Sequence, residues 1–328
     1  MSVNLDKNSI VFVGSGAIAT ALGDVLAEKS TLDVTLLSIE EDVIKSINEA
    51  HVNLNYFPNY NLNHALKATN DIHVLAQTDI IFLAVPSTVV VQYLKQHSKL
   101  IKPEALLVNL AKGFGSETQI IPDCIQEFTQ NTFVSMKGPS FAREIINRQA
   151  TGLTIASKNL HVFDVFEKLF ANTSIFFDFT TDVTGVEYAS ILKNIYAIII
   201  GIVDANFDSP NLRSLVLSKS INEMRRLISI FGGADQTIFN FCGFGDFSLT
   251  ALNDLSRNRT LGLLIGKGFF SKDISERVVL EGRIAVNILF KQLTRYNICI
   301  DDYPLMTELY KVFNEIYDIK KFVNRILK

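Results

Sequence analysis

The chain of 328 residues is long enough for two domains, each with its own core. A hydrophobic fraction of 48%, a charged fraction of 20% and a net charge of −3 are ordinary for a globular protein. They exclude the basic footprint of a nucleic-acid binder, though not a local pocket for a small anion.

Cys124, Cys242 and Cys299 are too few and too scattered for a disulfide framework, and the histidines are unpaired, so no metal is expected. The opening "MSVNLDKNSIVFVG" has no apolar signal-peptide core. The longest apolar run, Ile195 to Val203, is nine residues, well short of the ~20 that cross a bilayer. The expectation is a soluble cytoplasmic protein without membrane insertion.

In chain order, "SIVFVG" (9–14) predicts a strand that ends in glycine, and "AIATALGDVLAEK" (17–29) has helical spacing. "DVTLL" (33–37) predicts a second strand and "EDVIKSINEA" (41–50) a second helix. "DIIFLAVPS" (79–87), "ALLVNLA" (105–111) and "TFVSM" (132–136) continue the strands, followed by β-like runs at 152–157 and 174–180. Continuous Val/Ile/Leu strands separated by helices predict a parallel sheet covered on both faces. Beyond about residue 183 helical patterns take over, at 185–206, 211–231, 244–255, 274–293 and 304–316. The fold class expected is α/β: a Rossmann-type doubly wound domain over 1–182 and an all-helical domain over 183–328.

"GSGAIA", Gly14 to Ala19, fits G-x-G-x-x-G/A between the first strand and the first helix. Gly14 would permit the tight turn, Gly16 the approach of a pyrophosphate, and Ala19 a close helix–strand contact. The helix N-terminus at Ala17 and Ile18 would offer free N–H groups to the phosphates. At the end of the second strand stand Ser38, Ile39 and Glu40, with no Arg for a 2′-phosphate. Glu40 suits a ribose contact or simply a first-turn helix charge, so NADH, NADPH or both remain open, leaning to NADH.

"ASILKNIYAIII" (189–200) puts a Lys-Asn pair inside an apolar helix. At 100° per residue Glu187, Ser190, Lys193 and Asn194 share one stripe. That stripe is either a solvated helix edge or a lysine held at the lip of a pocket.

Four segments decide between these: "FLAVPS" (82–87), "NLAKGF" (109–114), "KGPSFAREI" (137–145) and "EYASILKN" (187–194). With "GFGDFSLTALNDLSRNRTLGLLIGKG" (243–268) and "VVLEG" (278–282), they resemble the bacterial NAD(P)-dependent glycerol-3-phosphate dehydrogenases over nearly the whole chain. The resemblance implies reduction of dihydroxyacetone phosphate to sn-glycerol 3-phosphate with NADH or NADPH, for glycerophospholipid synthesis, by a homodimer. It implies that Lys193 is the general acid/base and Lys112 a second lysine shared by substrate and cofactor. Asn194, Asp246 and Thr250 would surround the reacting carbonyl. Gly138 and Ser140 would touch substrate, and Ala142 the cofactor. Ser256, Arg257 and Asn258 would bind the phosphate, with Arg257 also near the cofactor, and Val279 and Glu281 would close over the nicotinamide. Ile18 and Ala19 depart from the aromatic-Gly pair usual in the family.

The residue types suit that chemistry. Hydride addition to a ketone builds negative charge on oxygen, which a lysine can protonate. A guanidinium binds phosphate bidentately, and that grip orients the carbonyl. Two rivals remain: a ketopantoate or hydroxy-acid reductase, whose substrate carries a carboxylate, and a non-catalytic dinucleotide sensor, which would need no intact lysine set.

Overall fold

The computed structural model describes residues 8–269 and 276–327, and the side chains of 276–281 lie outside that description. The chain divides into two compact units. One runs to Gly115 and includes Ile121–Val183; the other comprises Ser116–Ile120 and Thr184 onward.

The first unit is built on β1 (Asn8–Val13), β2 (Leu32–Leu37), β3 (Lys67–Thr69), β4 (Ile80–Leu83), β5 (Leu106–Asn109), β6 (Phe133–Lys137), β7 (Thr151–Ala156) and β8 (Ile175–Thr180). They form one sheet in the order β3-β2-β1-β4-β5-β6-β7-β8. The first six strands in that order run parallel, β7 is antiparallel to β6, and β8 is parallel to β7. Helices α1 (Ala17–Ala27), α2 (Glu41–Ala50), α3 (Ser87–His97), α4 (Ile121–Ile125), α5 (Ala142–Ile146) and α6 (His161–Leu169) complete it.

Side chains alternate across the sheet, and both faces are buried. Ile10, Phe12, Ile80 and Phe82 belong to one core with Leu22, Leu26 and Phe166; Val11, Val13, Ile81 and Leu83 belong to the other with Val90 and Leu94. This explains the unbroken apolar runs, because a strand covered on both sides has no polar face to show. Strand order reverses beside β1, where β2 lies on one side and β4 on the other. The carboxyl ends of strands at such a switch point form the ligand crevice of open α/β sheets.

The second unit contains α7 (Val183–Asn206), α8 (Pro210–Ile230), α9 (Asp246–Leu252), α10 (Arg257–Gly266), α11 (Glu276–Arg295), α12 (Pro304–Asn314) and α13 (Phe322–Ile326). By length and composition α7 would pass for a membrane span, yet 94% of its most apolar window is buried inside the protein. It is a core helix: Ile191, Leu192, Ile195, Ile198, Ile199 and Ile202 are all at or below 1% exposure, each contributing about 1.5–3 kcal/mol of burial.

The helix expected over 244–255 forms over a shorter span, Asp246–Leu252. A π-helical turn at Phe241–Gly245 runs into α9, the chain breaks at Asn253, and Ser256 starts α10 by accepting a hydrogen bond from Arg259 N at 3.2 Å. Helix α10 lies directly on α7. A Cβ on Gly201 would collide with the carbonyl oxygen of Arg259, and one on Gly262 with that of Ile198, so only glycine permits this backbone approach.

Candidate functional site

The turn after β1 has the form a dinucleotide phosphate needs. Gly14 sits at φ 106°, its N–H bonds Leu37 O at 2.8 Å, and a Cβ there would lie 2.9 Å from Ala84 O. Gly16 is the N-cap of α1, with no side chain closing the helix end and no acidic residue in the first turn. The first-turn N–H groups around Ala17 and Ile18 are therefore free for an anion. Gly14, Gly16, Ala17 and Ile18 fit a pyrophosphate on these grounds.

Two features around this turn were not legible in the sequence. Asn53, fully buried, donates to Ser15 O at 2.9 Å and to Thr20 Oγ1 at 2.8 Å, fixing the loop from a segment 38 residues away. Ser15 Oγ and Ser38 Oγ share a hydrogen bond of 2.7 Å, and Ser15 Oγ also reaches Glu40 Oε2 at 3.4 Å. Asn55 Nδ2 donates to Glu40 Oε1 at 3.2 Å. Glu40 is thus tied to the glycine turn as well as standing at the start of α2.

Beyond β5 and β6 the same sheet edge carries Lys112 and the Gly138 turn. Lys112, half-buried, donates to Gly138 O at 3.0 Å, and Ser140 Oγ donates to the same oxygen at 2.9 Å. Gly138 stands at φ 153°, and Ala142 opens α5. The structure therefore brings Lys112, Gly138 and Ser140 together.

In the second unit the polar stripe of α7 is not a solvated edge. Glu187 and Ser190 are fully buried and Lys193 is 6% exposed. Lys193 Nζ donates to Asp246 Oδ1 and to Thr250 Oγ1, each at 2.8 Å. Asp246 and Thr250 stand one turn apart on α9, and Thr250 Oγ1 donates to Asp246 O at 2.6 Å. Asp246 faces the lysine instead of capping α9, whose N-cap is Gly245. Asn194, next to Lys193, is half-buried.

Ser256, Arg257 and Asn258 form the N-terminal end of α10. Arg257 is exposed and free to reach a ligand, Asn258 is half-buried, and Ser256 is buried with its hydroxyl capping the helix. Arg259, not singled out in the sequence, is the anchor. Its Nη2 lies 3.0 Å from Asp204 Oδ2, and Arg213 Nε donates to Asp204 Oδ1 at 2.6 Å. Val279 and Glu281 lie in α11, and their side chains fall outside the described residues. Among the described residues no cluster of His, Cys, Asp and Glu could hold a metal ion.

One unit thus carries the glycine turn at the head of α1, and the other the buried Lys193–Asp246–Thr250 cluster. Comparison with known proteins gives the family. Residues 9–163 match the model of the NAD-dependent glycerol-3-phosphate dehydrogenase N-terminus, and residues 182–324 that of its C-terminus. The glycerol-3-phosphate dehydrogenase [NAD(P)+] of Clostridium botulinum (strain Eklund 17B / Type B) is 31% identical, over 98% of this chain and 97% of its own. The crystal structure of glycerol-3-phosphate dehydrogenase from Coxiella burnetii superposes with a TM-score of 0.88 at 28% identity, covering 98% of this chain and 99% of that one. A ketopantoate reductase of Ralstonia eutropha, at 12% identity and a TM-score of 0.61 over 98% of this chain and 100% of its own, shares the fold alone. With two family models covering residues 9–163 and 182–324 and a relative matched over 97% of its own length, the chain belongs to the NAD-dependent glycerol-3-phosphate dehydrogenases.

Proposed function

We propose that this oxidoreductase reduces dihydroxyacetone phosphate to sn-glycerol 3-phosphate, reversibly, with Lys193 as the proton donor. The observation that carries the assignment is the buried Lys193 ammonium held by Asp246 and Thr250 at 2.8 Å each. A carboxylate beside the amine favours its cationic form, the form that can give a proton.

Gly14, Gly16, Ala17 and Ile18 would hold the pyrophosphate of NADH or NADPH, with Ala142, Val279 and Glu281 as further contacts. When bound, that cofactor supplies the hydride. Lys193 gives its proton to the C2 oxygen as negative charge grows there, and Asn194 and Thr250 orient the same oxygen. Arg257, with Ser256 and Asn258, takes the substrate phosphate. Lys112, Gly138 and Ser140 complete the substrate contacts. Grip on the phosphate, which does not react, lets binding energy orient the carbonyl.

The rival reading as a reductase of carboxylate substrates is not favoured, because both family models are those of glycerol-3-phosphate dehydrogenase while the ketopantoate reductase of Ralstonia eutropha is only 12% identical. A sensor without turnover would not need Lys112, Lys193, Asp246 and Arg257 all in place. The reading extends to a cytoplasmic homodimer that feeds glycerophospholipid synthesis; sedimentation of the purified chain tests the dimer.

The deciding assay is cofactor oxidation at 340 nm with dihydroxyacetone phosphate, using NADH and NADPH in parallel, for wild type and Lys193→Met. Turnover in wild type and a fall of roughly 10²-fold or more in the variant are expected. A folded wild type that oxidises neither cofactor overturns the assignment.

A further inference from the structure

Lys137, the last residue of β6, is 1% exposed, among the least accessible side chains in the protein. Its Nζ donates to Asn109 O at 2.9 Å and to Ala111 O at 2.6 Å. Those carbonyls flank Leu110, in the turn that leaves β5 and leads directly to Lys112. In return Lys112 Nζ donates to the carbonyl of Gly138, the residue that follows Lys137. Each lysine thus reaches across to the backbone that carries the other.

The turn is held from within as well. Asn109 Oδ1 accepts from Ala111 N at 3.0 Å. Ala111 O therefore belongs to a segment pinned by an Asx turn on one side and a buried ammonium on the other. A lysine is a costly residue for so dry a position, since an apolar side chain would fill the volume without dehydrating a charge. Its benefit must lie in what the ammonium binds. Charge-assisted hydrogen bonds to carbonyls in a dry site are short and strong, suited to holding a backbone in one place.

We infer that Lys137 is a positioning residue for Lys112: its buried ammonium clamps the 109–111 turn so that the Lys112 side chain meets the Gly138 turn at the substrate edge of the sheet. This rests on the reading of Lys112 as a substrate and cofactor contact. Displacement of a catalytic contact by about 1 Å can cost 10²-fold in rate, so the effect should be read in catalysis as well as in folding.

The test is a double-mutant cycle on the full chain, with Lys137→Met, Lys112→Met and the double variant assayed with dihydroxyacetone phosphate and the preferred cofactor. Lys137→Met should lower kcat/KM by roughly 10-fold or more in the wild-type background and have little further effect once Lys112 is gone. Lys137→Gln, which keeps a donor without the charge, should recover part of the loss. A second readout does not need turnover. Brief acetylation with quantitation of the Lys112 peptide should show Lys112 labelled several-fold faster in Lys137→Met than in wild type. Equal losses in both backgrounds together with unchanged labelling overturn the inference, as does loss of the fold in both Lys137 variants, which would make the residue structural. An inactive wild type with faster Lys112 labelling in Lys137→Met would instead refute the assigned reaction and leave the clamp standing.

Discussion

The Lys193 ammonium lies 2.8 Å from the Asp246 carboxylate with both side chains almost entirely removed from water, at 7% and 2% exposure. A buried pair of this kind is a weak source of stability, because dehydration offsets the attraction. Its role is to hold a proton donor in one place. Asp246→Asn keeps the shape and an acceptor but removes the charge. It should lower kcat by about 10²-fold while leaving the circular dichroism spectrum unchanged. Thr250→Val, which removes the second acceptor, should cost less, about 10-fold. A kcat for Asp246→Asn within a small factor of wild type would show that the carboxylate is not coupled to the donor.

Glu40 carries the expectation about cofactor choice. Its carboxylate is tied to Ser15 and Asn55 beside the glycine turn, so a negative charge is fixed near the end of β2, where a ribose is expected. A 2′-phosphate brought there would meet a like charge, a mismatch that can cost several kcal/mol. NADH should therefore be used in preference to NADPH. Glu40→Gln should narrow the ratio of kcat/KM values by roughly 10-fold, mostly through a lower KM for NADPH. Parallel initial-rate curves measure this, and an unchanged ratio would remove Glu40 from the selection.

Much of this was legible because the signals are local. The apolar run of β1, the glycines after it and the helical spacing of α1 lie within one short stretch, and the Lys193 stripe follows from helix geometry alone. The break after Asn253 was also present in local code. Ser256 is a good N-cap residue for α10, although an apolar-looking "DFSLTALNDL" invites one continuous helix. Asn53 and Lys137 could not be found in this way. Each acts on a backbone far along the chain, 38 residues away for Asn53 and Ser15, 26 for Lys137 and Ala111. No periodicity marks such a contact. The antiparallel direction of β7 was likewise unreadable, since strand composition reports burial and says nothing of direction.

Arg257 and Arg259 stand two residues apart on α10 and should fail differently. Arg257 is exposed, so Arg257→Met should leave Tm nearly unchanged and raise KM for dihydroxyacetone phosphate by roughly 10–100-fold, the worth of a charged hydrogen bond to phosphate. Arg259 is largely buried and paired with Asp204, which keeps Arg213 as a second partner. Arg259→Met should therefore cost about 2–3 kcal/mol, less than the full loss of a buried pair. In a domain of this size that lowers Tm by on the order of 5–10 °C. Calorimetry of the two variants beside their KM values separates ligand contact from anchor. Equal Tm losses would contradict the division.

The Glu223 carboxyl gives the protein a pH dependence whose sign can be worked out. It accepts hydrogen bonds from Tyr196 Oη at 2.8 Å and from Leu305 N at 3.0 Å, at the start of α12. Burial pushes its carboxyl above the ordinary glutamate value, and these donors only partly offset the rise. The native state therefore holds more protons than the unfolded chain between the ordinary value and the raised one. Stability contributed by this group must increase as pH falls through that window. Acidification also titrates Glu308, where burial opposes ionisation but Lys311 and Tyr317 outweigh it and hold the carboxyl below its usual range. That contribution has the opposite sign, but it is common to wild type and Glu223→Gln and cancels in their difference. Urea unfolding of both proteins from neutral pH down to the ordinary glutamate range should show wild type gaining on Glu223→Gln as pH falls. Wild type that gains nothing on Glu223→Gln, or loses ground to it, as pH falls would mean that the charged carboxylate is at least as comfortable in the folded protein as in water.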